Sequence, residues 1–133
     1  MSFQWLQMRI SEENDRRARE RAINERLPAA LLELHENLAR CVADYNQAFG
    51  AGSAAIALNA DAIRVSAGDR TVEITADALM PGFQIVRGDS RLDIAIGILP
   101  GGNLFYRDAD KYLSMEELTR RILDRAFFPK LPD

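Results

Sequence analysis

Chemistry at a protein surface needs clustered groups, and this chain supplies few. His35 and Cys41 are each the only residue of their type. His35 lies one position off an apolar stripe that includes Leu31, Leu34 and Leu38, which reads as a histidine at the border of a packed helix face. No GxSxG elbow or HExxH helix accompanies it, although a triad is assembled in space rather than along the chain. Cys41 falls inside the stripe, where free thiols are commonly buried and inert. Reactive thiols occupy open, electropositive places. The carboxylates Asp108, Asp110, Glu116 and Glu117 have the composition of a Mg²⁺ site or an acid–base pair. Each also has a structural reading: the first two flank a loop, and the last two suit the start of a helix.

Two further stretches carry functional-looking patterns. Leu99-Pro100-Gly101-Gly102-Asn103 is glycine-rich, but no helix and no Lys-Ser/Thr follows, so it lacks the amide cradle of a phosphate loop and reads as a hairpin turn. Arg87-Gly88-Asp89-Ser90 spells the tetrapeptide that integrins bind. It stands between two β-patterned runs, FQIVR (83–87) and RLDIAIGIL (91–99), so a chain reversal is expected there and integrin binding is not. No catalytic residue, metal ligand or cofactor-binding residue is therefore assigned.

Composition narrows the class further. The chain has 133 residues, 47% apolar and 28% charged, enough for one domain with its own core. Its formal charge of −3 gives no overall basic character, so nucleic acid is not an expected partner. A lone cysteine precludes an internal disulfide. The opening MSFQWLQMRISEEND reads as neither a secretion signal nor a membrane anchor, and a cytoplasmic location is expected. Arginine outnumbers lysine fifteen to two, a skew that by itself carries no functional weight.

The elements that must position these residues are legible from periodicity. Ser11 suits an N-cap, followed by Glu12, Glu13 and Asp15. Glu12–Arg16, Glu13–Arg17, Asp15–Arg19 and Arg21–Glu25 then fall four apart, predicting a polar helical arm over about 11–26. The arginines of RRARERAINER are balanced by carboxylates, which makes the arm a solvated face. From Leu27 an apolar stripe runs through Leu31, Leu34, Leu38, Cys41, Tyr45 and Ala48 and stops at the glycines of FGAGS. Pro28 lies between arm and stripe. An unbroken helix over 11–49 would span about 58 Å, several times the radius of gyration of about 14 Å expected for this length. A helix kinked or restarted at Pro28 is the favoured expectation, and a projecting arm is the alternative.

Residues 53–107 switch to a period of two. SAAIALN, AIRVSA and TVEITA each carry one wet face, FQIVR, RLDIAIGIL and NLFYR follow, and the fifth, the longest and fairly apolar on both sides, is placed centrally. Ser114-x-x-Glu117 is a capping box, with Leu113 and Leu118 placed for a hydrophobic staple, and it opens a helix over 115–128. The whole predicts a single α+β domain over 1–133. It comprises a long, kinked amino-terminal helix, an antiparallel sheet of about five to six meandering strands and a carboxy-terminal helix, in two layers.

With no catalytic cluster, surface is what remains. Phe3, Trp5, Leu6 and Met8 gather before the arm, and Phe127, Phe128 and Leu131 gather around the prolines of the tail. These apolar ends either dock on their own core or meet a neighbour. The favoured function is a small interaction protein, self-associating as a homodimer or binding another protein, with Trp5, Leu31, Leu38, Tyr45, Phe127 and Phe128 as the interaction surface. The alternative is a ligand-binding or catalytic domain with a pocket between sheet and helices, drawing on Asp93, Tyr106, Asp108 and His35.

Overall fold

A computed structural model describes residues 3–132. Its first element, α1, is a helix from Gln4 to Phe49, 46 residues without interruption. At 1.5 Å per residue it extends about 69 Å. Ser11 is not its cap: Phe3 occupies that position and offers no side-chain bond to the exposed amides. QWLQMRI contains no helix breaker, and Arg9 ties the segment to the next turn by an ion pair with Glu12, so nothing delays the helix until residue 11. Four-apart pairing is replaced in part by a bridge. Arg16 contacts both Glu13 and Glu20, while Arg17 stays 4.0 Å from Glu13.

The restart expected at Pro28 does not occur, and the helix runs through the proline. Proline deprives the Asn24 carbonyl of its usual amide partner, a loss offset by the packing just beyond it. Leu27, Ala30, Leu31, Leu34, Leu38 and Val42 are all buried. This buried set advances mostly by four residues, whereas the sequence stripe alternated threes and fours. Val42 therefore takes the central place, Cys41 and Tyr45 move to the margin, and Ala48 is exposed. That drift is what a helix lying on a sheet shows, in contrast to the strict heptad of a supercoil.

Seven strands follow as an antiparallel meander in sequence order. They are β1 (Ala54–Asn59), β2 (Ala62–Ala67), β3 (Arg70–Asp77), β4 (Gly82–Arg87), β5 (Ser90–Ile98), β6 (Leu104–Asp108) and β7 (Lys111–Leu113). The five to six expected strands omit β7, only three residues long. Four of the reversals have two residues: Ala60-Asp61, Gly68-Asp69, Gly88-Asp89 and Ala109-Asp110. In each, a small residue with φ between 54° and 63° precedes an aspartate. Positive φ at the first central position is the geometry that matches the twist of paired strands. Alanine rarely adopts it, which is why Ala109-Asp110 gives no turn signal and β7 escapes notice.

Register settles the two faces of the sheet. Val65 opposes Val72, Ile74 opposes Ile85, Phe83 opposes Ile94, and Ile96 opposes Tyr106. These all lie on the helix side and are buried. The other face stays open, with Arg64, Glu73, Gln84, Asp93 and Arg107 along its middle strands. Gly97 lies there directly opposite Phe105, and a Cβ at Gly97 would run into the Phe105 ring. The glycine thus gives the aromatic ring a seat.

The final element, α2 (Met115–Phe127), opens with the predicted capping box, Ser114 and Glu117 bonding reciprocally. Leu118, Ile122, Leu123, Ala126 and Phe127 face the core. Arg70 donates from the start of β3 to the Ala126 carbonyl, fixing the far end of α2 to the sheet. Both helices lie on one face, so the fold is α+β in two layers.

Candidate functional site

The groups capable of chemistry are kept apart by the fold. His35 is half-buried on α1. Cys41 packs at the margin of the core, where burial pushes its thiol up and the Thr119 hydroxyl works weakly the other way. A raised thiol is a poor nucleophile at neutral pH. Tyr106 is buried against Phe83, ring centroids 5.9 Å apart, and burial likewise raises its phenol. Asp93 lies on the open face and Tyr106 on the helix face of the same sheet, so the four residues considered for a pocket do not converge.

The acidic group divides in the same way. Asp108 pairs with Arg121 of α2, and Asp110 takes the second place of the β6–β7 turn. Glu117 is held below its ordinary value, first by the Ser114 amide and then by the Ser114 hydroxyl. Asp108 and Glu117 are thereby occupied by the fold, and Glu116 stands in the first turn of α2. Among the described residues no group of three histidine, cysteine or acidic side chains is placed to hold a metal ion.

The six residues of the expected interaction surface separate into three sets. Leu31 and Leu38 are 3% and 0% exposed, because the chain's own sheet lies across that side of α1. As interaction surface they are corrected to core. Tyr45 and Phe127 stack on each other, ring centroids 4.3 Å apart at 29°, and Phe128 and Phe49 edge against them. The carboxy-terminal aromatics thus dock on their own chain, leaving one side of Phe49 and Phe128 in solvent. Phe49 is a member of this knot that periodicity missed, since it falls four residues beyond Tyr45 at the very end of the helix.

Trp5 alone remains fully presented, 65% exposed. Phe3, Leu6, Met8 and Ile10 stand exposed beside it on the first turns of α1. The first buried residue of α1 is Leu27, and the two bonds that hold this region of the helix to the body are made just before it. Asn24 donates to the Ala78 carbonyl in the β3–β4 loop, and Arg26 donates to the Gly102 carbonyl in the β5–β6 loop. In a meander these two loops share one end of the sheet. The helix therefore enters the body at that end.

Arg87-Gly88-Asp89-Ser90 closes β4 onto β5, with Arg87 and Ser90 as the last paired residues and Gly88 at a φ of 54°. Only Gly88 and Asp89 form the reversal. The arginine belongs to the sheet, half-buried on the helix side.

Fold and surface together define a class: a small α+β domain with a long helix and a meander sheet covered on one face, and with no metal-holding cluster among the described residues. Among those residues no helix is long and apolar enough to cross a membrane. No family model, curated protein or solved structure matches the chain.

Proposed function

We propose that the protein is an interaction domain that self-associates through the amino-terminal half of α1. The observation that carries this is the exposure of Phe3, Trp5, Leu6, Met8 and Ile10 on a helix whose first buried residue is Leu27. Phe3, Leu6 and Ile10 follow the spacing of one helical face, with Trp5 and Met8 beside it. Large apolar groups gathered on one surface are a feature of contact sites. Residues 4–26 amount to about 34 Å of helix, long enough to present that tip well clear of the sheet.

A second copy is the partner that the charge pattern suits. Between Arg9 and Arg26 the arm carries six arginines and five carboxylates, and several are already paired along the helix. Two such arms can lie together without strong repulsion, whereas a basic or acidic arm could not. The reading carries with it a cytoplasmic homodimer, which the single free cysteine fits.

Trp5 provides the test, being the only tryptophan in the chain. Its emission should shift to the blue and its quenching by acrylamide should fall as the protein is concentrated from nanomolar to micromolar. An emission maximum that stays at the solvent-exposed position throughout would remove the proposal.

A further inference from the structure

The apolar tip of α1 and a pocket at the base of the arm occupy the two ends of one helix face. Leu6, Ile10, Glu13, Arg17, Asn24 and Pro28 follow one another by three, four or seven residues, which keeps them in line along α1. The amino-terminal end of this line is the exposed tip. At its other end a pocket of about 420 Å³ opens between α1, the β1–β2 turn and the end of β3. Pro28, Leu31, Leu32 and Leu58 wall it, and Asn24 and Asp61 are the polar residues of its lining. Leu32 stands exposed at the rim, and Leu79 and Met80 on the neighbouring β3–β4 loop are more exposed still. We propose that this pocket receives Phe3, Leu6 and Ile10 of a second copy, the two arms lying antiparallel.

The inference rests on the self-association proposed above and specifies what covers the tip. Leu6 and Asn24 lie about 27 Å apart along the helix axis. A two-fold axis midway between them, at the level of Asp15, brings the tip of each copy onto the pocket of the other. Asp15 itself falls on the far side of the helix, out of the contact. The same axis sets Glu13 against the partner's Arg17 and Arg9 against the partner's Glu20, and each of these contacts occurs twice. Parallel arms would set every charge against its own twin and leave both pockets uncovered.

Pairing within the chain is compatible with this arrangement. Glu13 and Glu20 both accept from Arg16, and a carboxylate has oxygen lone pairs for a second guanidinium. Arg17 lies 4.0 Å from its own Glu13, so its contact can be tightened by the partner's. Trp5, to one side of the line, falls beside Leu79 and Met80 of the partner. Covering these side chains removes apolar surface from water at both ends of the pair. Tip and pocket match as the two ends of one face, which favours a second copy of this chain over an unrelated helix.

The experiment attaches bimane, a fluorophore quenched on contact with tryptophan, to the β3–β4 loop through Leu79→Cys in a Cys41→Ala background. Within one chain Trp5 lies about 28 Å along α1 from Asn24, to which this loop is bonded, too far to touch the label. Quenching should grow as the chain is concentrated from nanomolar to micromolar, and it should vanish in Trp5→Phe. Arg17→Glu removes two contacts across the arms and should weaken the dimer about tenfold, and adding Glu13→Arg should restore it. A dimeric mass in light scattering with an unquenched label would overturn antiparallel docking and leave self-association standing. A monomeric mass would remove both. An Arg17→Glu dimer as tight as the parent's would also overturn the proposal.

Discussion

Tyr45, one turn from the end of α1, stacks on Phe127, the last residue of α2, with ring centroids 4.3 Å apart. The contact joins the two helices where both leave the sheet, and Phe49 and Phe128 pack around it. It converts two residues that resemble a docking surface into a clasp within the chain. Phe127→Ala should cost about 3 kcal/mol, the lower end for truncating a buried aromatic. Urea unfolding of the variant checks it, and a loss under about 1 kcal/mol would mean the clasp adds little beyond its own area.

The two-residue turns offer a comparison of opposite signs. Gly88 and Ala109 hold nearly the same positive φ, 54° and 55°. Gly88→Ala imposes that conformation on a side chain and should cost about 1 kcal/mol. Ala109→Gly relieves it, with part of the gain returned to the unfolded chain, so a change from zero to about 1 kcal/mol of added stability is expected. Thermal denaturation of both variants distinguishes them. Equal destabilisation by the two would show that the turns are not alike.

Pro28 poses a separate test because α1 passes through it unbroken. Pro28→Ala restores an amide for the Asn24 carbonyl and removes the ring's crowding. The helical gain of about 3 kcal/mol less about 1 kcal/mol of unfolded-state entropy predicts about 2 kcal/mol of net stabilisation. Chemical denaturation measures it directly. A variant less stable than the parent would mean that the bond geometry around Asn24 has been shaped to the proline.

Glu117 gives the fold an acid-sensitive cap. Its carboxyl is held below the ordinary 4.5 by the Ser114 amide, so the folded state favours the charged form. A carboxylate depressed on folding contributes fully above its unfolded value, and the contribution is lost as pH falls through the folded one. The parent chain should therefore lose stability more steeply than Glu117→Ala as pH drops below about 4.5. Parallel curves for the two proteins over that range would contradict the assignment.

Local signals in the sequence anticipated the local features well. Ser114-x-x-Glu117 and the hairpin at Gly88-Asp89 depend only on neighbouring residues, and both stand where the pattern put them. What needed tertiary context was less legible. The start of α1 at Gln4 lacks a capping side chain, and β7 follows an alanine turn whose positive φ leaves no composition mark. Pro28 points to a kink or restart because its cost is local, while the burial of Leu27, Ala30 and Leu31 that offsets it is not.

Self-association through the exposed tip of α1 is tested most directly by molar mass. Static light scattering at micromolar concentration should give twice the chain mass of 14.9 kDa for the parent protein. The double variant Trp5→Glu/Leu6→Glu, with an unchanged melting transition, should give the monomer mass. A parent chain that scatters as a monomer at that concentration, or a dimer that survives the double variant intact, would contradict the account.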